Sequence, residues 1–213
     1  MRQLNLLDYV ISEIDTTLRT LVIPKSRTAS RDNPGNEYPE NQIDNKEKRH
    51  IAGLMRVNHT GEVCAQALYQ GQAMTAQLAN IKAQMAQAAA EEVDHLAWCE
   101  QRLQELDSKP GALNPFWYTS SLMLGILAGL AGDKWSLGFV AETERQVTAH
   151  LENHLQRIPE KDQRTIAIIK QMHEDESRHA AEAQNAGAAQ LPWFIKTLMK
   201  SSAKFMTKSS YYL

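Results

Sequence analysis

The sequence predicts an all-α protein organised around four long helices. Three observations carry this. No stretch shows the alternating Val/Ile/Thr/Tyr pattern of a half-buried strand. Helix start and stop signals recur at long intervals. One carboxylate pattern occurs twice: Glu62 is followed 30 residues later by Glu92-Val93-Asp94-His95, and Glu144 is followed 32 residues later by Glu176-Ser177-Arg178-His179. Each half is a single Glu and then a Glu-x-x-His, all in stretches that read as helix. Positions i and i+3 lie about 60° apart on a helix, so each Glu-x-x-His aims a carboxylate and an imidazole at one point.

Residues 4–22 read as a short amphipathic helix, with Leu4, Leu7, Ile11, Ile14, Leu18 and Leu21 at three- and four-residue steps. Residues 24–46 change character. Pro24, Pro34, Pro39 and Gly35 mark a polar connection, either an ordered wrap or a mobile arm. A long helix is predicted from Asn45–Lys48 to about Gln77. A second runs from Asn80 to Leu106 and stops at Asp107-Ser108-Lys109-Pro110-Gly111. Residues 113–132 carry no charge and approach the length of a membrane span. Asn114-Pro115 at its start, and a strongly apolar part limited to Leu122–Ala131, favour a buried or interfacial helix instead.

Gly132-Asp133 breaks that segment, and Asp133 is placed as the cap of a helix from Lys134 to about Gln156. Ile158-Pro159-Glu160 turns the chain, with Pro159 expected in the first turn of a helix from Lys161 to Asn185. Gly187 fits the end of that helix, and Trp193–Met206 forms the last one. The long link between the second and third ligand-bearing helices permits a crossover, which is the ferritin-like connection of a four-helix bundle. Three further helices are peripheral, with the apolar ones suited to a membrane interface. The chain divides into residues 1–47, a short helix and polar linker, and residues 48–213, the helical domain.

The composition is that of an ordinary globular protein: 213 residues, 43% hydrophobic, 23% charged and a formal net charge of −2. No dense Lys/Arg block marks a nucleic-acid footprint. Cys64 and Cys99 suggest no disulfide framework and a reducing compartment. The N-terminus lacks the uninterrupted apolar core of a secretory signal.

Glu, Glu-x-x-His, Glu and Glu-x-x-His from four helices form the ligand set of a di-iron or di-manganese carboxylate bundle. Four carboxylates neutralise two divalent ions, and two histidines add neutral nitrogen. Oxygen-rich ligation with limited imidazole suits iron or manganese. Glu62 with Glu92/His95 serves one ion in this reading, and Glu144 with Glu176/His179 the other. Glu92 and Glu176 are the bridge candidates. A solvated helix face would also explain the charges around both motifs. It explains Glu62 less well, because Gly61 and Val63-Cys64-Ala65 flank it on a stripe with Met55, Asn58 and Tyr69. A carboxylate there is costly unless it meets charge or protons.

Other polar residues are weaker candidates. Asp94 and Asp175 either accept from the ligand histidines or face water. Arg56 either pairs with a carboxylate or lies at the surface, and His59 lies close to the face of Glu62. Tyr69 returns to the Glu62 stripe as a hydrogen-bonded core tyrosine or a relay. His150 and His154, one turn apart, are expected to make ordinary polar contacts, and Cys64 and Cys99 to be core or near-surface thiols.

Arg56-Val57-Asn58-His59-Thr60-Gly61-Glu62, with the five later ligand positions and Asp133-Lys134-Trp135-Ser136-Leu137-Gly138-Phe139-Val140 before Glu144, resembles the demethoxyubiquinone hydroxylases of ubiquinone biosynthesis, in their bacterial branch. The resemblance covers roughly residues 48–213. It implies metal ligation by Glu62, Glu92, His95, Glu144, Glu176 and His179, with Glu142 and Glu152 as the possible confusions for Glu144. It implies two iron ions per chain and monooxygenation of a polyprenylated demethoxyubiquinol by O2. One oxygen atom enters the ring and the other leaves as water. The chain carries no nicotinamide or flavin fingerprint, so the two electrons come from an external donor or the quinol itself.

The isoprenoid tail places the protein peripherally on the cytoplasmic face of the cell membrane. Residues 116–131 and 193–206 are expected to lie on the bilayer, with Lys196, Lys200, Lys204 and Lys208 at head groups and Trp193, Phe194 and Phe205 as anchors. The centre is expected to open toward that face. A homo-oligomer or other ubiquinone-biosynthesis proteins are the remaining partners to expect. The rival reading is a ferritin- or rubrerythrin-like iron oxidase or peroxidase.

Overall fold

The computed structural model describes residues 5–22 and 27–213, with the side chain of Gln84 outside the description. Leu4 of the predicted first helix and residues 24–26 of the polar connection therefore lie outside the described residues. Seven α-helices and one short 3-10 turn are present among the described residues, with no strand. Helix α1 is Leu6–Leu21 and the 3-10 turn Pro34–Glu37. Four long helices follow the sequence expectation: α2 Asn45–Thr75, α3 Ala79–Glu105, α5 Asp133–Leu155 and α6 Gln163–Asn185. Between α3 and α5 runs α4, Asn114–Leu130, and α7 is Trp193–Tyr212.

Local chemistry explains the boundaries. Asp44 accepts from the backbone N–H of Lys46 and Glu47, and Glu47 returns a bond to Asp44, so α2 begins with a reciprocal cap. Gly187 adopts φ 99° and ends α6, where Ala188 N–H reaches back to Ala183 O. Asp133 does not cap α5. Its carboxylate accepts from the N–H of Gln77 and Leu78 and stitches the α2–α3 turn instead. Pro159 lies before α6 rather than in its first turn, because Asp162 caps that helix through Thr165 N–H. Helix α7 runs past Met206 to Tyr212. Its end is held by a 2.6 Å bond between Tyr211 and His50, and by Leu213 O accepting from Ala112 N–H.

Two apolar layers close the bundle. One contains Ile51, Leu54, Met55, Trp98, Leu151 and Met172; the other contains Ala65, Tyr69, Met85, Leu137, Val140 and Ala183. Every predicted ligand falls between them. Glu62 lies between Met55 and Ala65 on α2, and Glu92 and His95 between Ala88 and Trp98 on α3. Glu144 lies between Ala141 and Leu151 on α5, and Glu176 and His179 between Met172 and Ala183 on α6. The apolar layers hold the helices together, so the polar layer between them does not have to.

Helix α4 makes the crossover and packs along α2 at backbone contact. A Cβ on Gly125 would run into the carbonyl of Leu68, and one on Gly71 into that of Leu122. Its other side exposes Phe116, Met123, Leu124, Leu127 and Leu130. No described helix is long and apolar enough to cross a membrane. Residues 27–44 form an ordered wrap across α3 and α6. Arg27 pairs with Glu100, Asn33 donates to Gln101, and Glu40 pairs with the buried Arg102.

Candidate metal centre

Four helices deliver the six predicted residues to one buried place. Glu62, Glu92, His95 and Glu176 offer ligand atoms that all lie within 4.8 Å of one another. His179 Nδ1 is 3.2 Å from Glu176 and 3.5 Å from Glu92. Glu144 is hydrogen-bonded to Glu176 and accepts from the Tyr69 hydroxyl. None of the six is more than 4% exposed, so water cannot screen their charges from one another.

The two central carboxylates divide their oxygens. Glu92 sets Oε2 3.0 Å from His95 and Oε1 3.5 Å from His179. Glu176 sets Oε1 3.3 Å from His95 and Oε2 3.2 Å from His179. Glu62 stands on the His95 side at 3.6 Å, and Glu144 stands beside Glu176. Each central carboxylate thus spans the two imidazoles, with Glu62 beside His95 and Glu144 beside Glu176. This arrangement can hold a pair of cations.

Electrostatics ask for positive charge here. Burial, and then the Glu92 charge, push Glu62 well above the usual carboxylate range. Burial, and then the Glu176 and Glu92 charges, do the same to Glu144. Burial works against charge on His95, but the Glu92 carboxylate and three further hydrogen bonds raise it well above an ordinary histidine. Burial likewise opposes charge on His179, yet the bond to Glu176 and the nearby Glu92 carboxylate raise it to about 11. Buried Oε1 of Glu92 has no hydrogen-bond partner. An oxygen-rich donor set with two imidazoles and an orphaned carboxylate oxygen fits hard divalent ions such as iron or manganese.

Each histidine turns its other nitrogen outward to a carboxylate of the opposite motif. His95 Nε2 lies 2.9 Å from Asp175, the residue before Glu176. His179 Nε2 lies 3.0 Å from Glu91, the residue before Glu92. Such contacts fix ring orientation and tautomer in metal sites. Of the two aspartates singled out in the sequence, Asp175 meets a histidine and Asp94 does not. Asp94 accepts from Ser30 and Arg31 of the wrap. Sequence reasoning missed Glu91 and Arg31. The signal for Glu91 was present, since an acidic residue precedes Glu in both motifs.

The remaining candidates sort by contact. Arg56 meets no carboxylate; it donates to the carbonyls of Lys109 and Tyr211 and pins the α3–α4 loop to α7. Buried His59 lies between Glu100 and Asn114 and is not part of the cluster. Glu142 pairs with Arg145 and Lys196, and Glu152 faces solvent, so Glu144 alone of the three enters the centre. His150 and His154 do not make ordinary polar contacts. Their rings lie 3.9 Å apart, and buried His150 Nε2 and His154 Nδ1 have no partner. Cys64 and Cys99 are free thiols outside the cluster. Burial raises Cys64 to about 11, which leaves it unreactive.

The family profile described as "Ubiquinone biosynthesis protein COQ7" matches residues 49–210. That span contains all six clustered residues. The chain belongs to the COQ7 family. Within that family it is 64% identical to a protein of Legionella pneumophila (strain Paris) named 3-demethoxyubiquinol 3-hydroxylase, over 100% of both chains. A protein of the same name from Acinetobacter baylyi is 54% identical, again over 100% of both chains. The COQ7 assignment rests on full-length similarity and not on the shared Glu-x-x-His spacing alone.

Proposed function

We propose that this protein is a di-iron monooxygenase that uses O2 to hydroxylate a polyprenylated demethoxyubiquinol in ubiquinone biosynthesis. The observation that carries this reading is the division of oxygens at Glu92 and Glu176, in a chain whose full-length relatives bear the name 3-demethoxyubiquinol 3-hydroxylase. Glu62, Glu92 and His95 would hold one iron and Glu144, Glu176 and His179 the other. When bound, the pair supplies the electrons and open coordination positions that O2 chemistry needs.

The chain's own residues do the rest. Asp175 and Glu91 orient the two imidazoles. Tyr69 donates to Glu144 and keeps that carboxylate turned into the cluster. The apolar layers above and below exclude water, which strengthens every charge interaction between them. Two electrons enter from an external donor.

The substrate tail accounts for the outer surface. Trp117 of α4 meets Phe205 of α7 at 5.8 Å between ring centroids, so the two helices touch there, and each exposes apolar side chains. Lys200, Lys204 and Lys208 are exposed on α7, while Lys196 is partly engaged by Glu142 at 3.7 Å. Such a face suits peripheral attachment to the cytoplasmic leaflet, where the tail stays in lipid and the quinol head reaches the centre.

The test is anaerobic loading with ferrous iron, then addition of a short-tailed demethoxyquinol, a reductant and isotopically labelled O2. Two irons per chain and one labelled oxygen in the ring are expected. Unchanged quinol with growth of ferric mineral under excess ferrous iron would instead mark an iron-oxidising protein.

A further inference from the structure

Arg31 lies on the wrap between α1 and α2, outside residues 49–210 that the family profile matches. We infer that it is a positioning residue for the metal centre, holding Asp175 so that Asp175 fixes the ring of His95. The inference rests on the metal-centre reading above. The contacts form an unbroken chain. Arg31 Nη1 donates to Asp175 Oδ2 at 2.8 Å, and that same oxygen lies 2.9 Å from His95 Nε2. Arg31 Nε donates to Asp94 Oδ2 at 2.8 Å. One guanidinium therefore bridges α3 and α6 beside the cluster. Its plane sits over Trp98 at 4.9 Å, and Trp98 lies 5.3 Å from the His95 ring. The same histidine is thus touched on its edge and braced on its side by groups that Arg31 holds.

The other half of the centre shows what the wrap contributes. His179 Nε2 meets Glu91 Oε2, and Arg178 Nη2 donates to that oxygen at 2.6 Å. Both histidines therefore have the same outer arrangement of imidazole, carboxylate and arginine. The difference is origin. Arg178 directly precedes His179 on α6, so the bundle supplies it. On the His95 side Arg178 reaches only the far oxygen of Asp175, Oδ1, at 3.1 Å, and the wrap brings Arg31 to Oδ2, the oxygen that meets His95. The oxygen that meets His179 is held from within the bundle, and the oxygen that meets His95 is held by the wrap.

Lysine cannot reproduce this bridge, because its ammonium is a single point and the two carboxylates take different nitrogens of one planar fork. The Arg31 side chain is 36% exposed and lines an open cleft with Ser30, Glu91 and Arg178, so a small cation can reach its place.

The experiment loads the full chain with ferrous iron and follows uptake by titration and both irons by Mössbauer spectroscopy. Arg31→Ala should weaken uptake of one of the two ions by about 10- to 100-fold, the range for loss of an outer partner. It should also change the quadrupole doublet of one iron only. A low, non-denaturing concentration of guanidinium ion should restore both signals, and Arg31→Lys should not. Ser30→Ala removes a wrap contact to Asp94 without touching Asp175 and should leave both irons as in the wild type. Equal change at both irons, no change, or the same change in Ser30→Ala would show that Arg31 only anchors the wrap. Failure of the wild type to bind two irons would overturn the metal-centre reading itself.

Discussion

The Tyr69 hydroxyl donates to Glu144, so a phenol on α2 holds the carboxylate of α5 inside the cluster. Both residues are at most 1% exposed, and neither can exchange this bond for water. Tyr69→Phe keeps the ring and removes only the donor. It should cost about 1–3 kcal/mol in urea unfolding, the penalty of an orphaned buried acceptor. Glu144→Ala should behave differently. It relieves the crowding of several carboxylates but leaves the buried Tyr69 hydroxyl unpaired, so the two effects offset and the net change in stability of the metal-free bundle should be small. Oxygen incorporation into the quinol should nevertheless disappear. A large drop in melting temperature for Glu144→Ala, with activity retained, would contradict both roles.

Metal uptake should expel protons. Burial and neighbouring charge raise Glu62 and Glu144, the surrounding carboxylates raise His95 and His179, and His179 reaches about 11, so protonated forms are favoured in the metal-free cluster. A cation must displace these protons to reach its ligands. The sign follows directly: groups that stay protonated until high pH compete with metal at low pH. Affinity for ferrous ion should rise with pH across the neutral range and fall as acid is added. Calorimetry in two buffers of different ionisation enthalpy should show net proton release. Uptake without proton release would mean that these groups are not the ligands.

The six clustered residues were legible because helix geometry writes them into the sequence. An i, i+3 pair faces one direction whatever surrounds it, and a Glu between Val63 and Gly61 must find charge. The crossover was legible from the length between α3 and α5. Contacts between elements were not. Arg31 sits in a Pro- and Asn-rich connection, and nothing local says that residues 31 and 175 meet. Asp133 reads as a cap for its own helix, yet the α2–α3 turn comes close enough to take its carboxylate. The close, tilted contact of His150 with His154 depends on what α5 is buried against, which periodicity does not reveal.

That histidine pair should make the fold acid-sensitive. Burial, and then the charge of Arg157, lower His150 to about 4; burial, His150, Arg157 and His50 lower His154 to about 2. An unfolded chain releases both to ordinary values near 6.5. Below that pH the unfolded form binds protons that the folded form refuses, so stability is full above it and falls as pH drops. The loss should be on the order of 2 kcal/mol per histidine between pH 7 and about pH 5. Urea unfolding of the double variant His150→Leu, His154→Leu should show a flatter pH dependence than the wild type. An unchanged slope would place the acid response elsewhere.

The α4–α7 face should bind lipid through its exposed aromatics. Phe205 is 66% exposed and contacts Trp117, so it stands where the two helices join. In water its ring adds only its edge contact with Trp117, and in a bilayer interface the exposed part is buried. Transfer of such a side chain is worth about 1.5–3 kcal/mol when complete. A partly inserted Phe205→Ser variant should therefore lose roughly tenfold in affinity for vesicles containing anionic lipid, since 1.4 kcal/mol is about a factor of ten. Its melting temperature should fall only slightly, because the folded protein leaves most of that ring in solvent and loses only the contact with Trp117. Lys200→Glu should weaken binding further at low salt and less at high salt, as exposed charges are screened. Sedimentation with vesicles reads both effects. Equal binding by wild type and Phe205→Ser would move lipid contact away from this face, and α1, whose Leu7, Ile11, Ile14 and Leu18 are also exposed, would be the next surface to test.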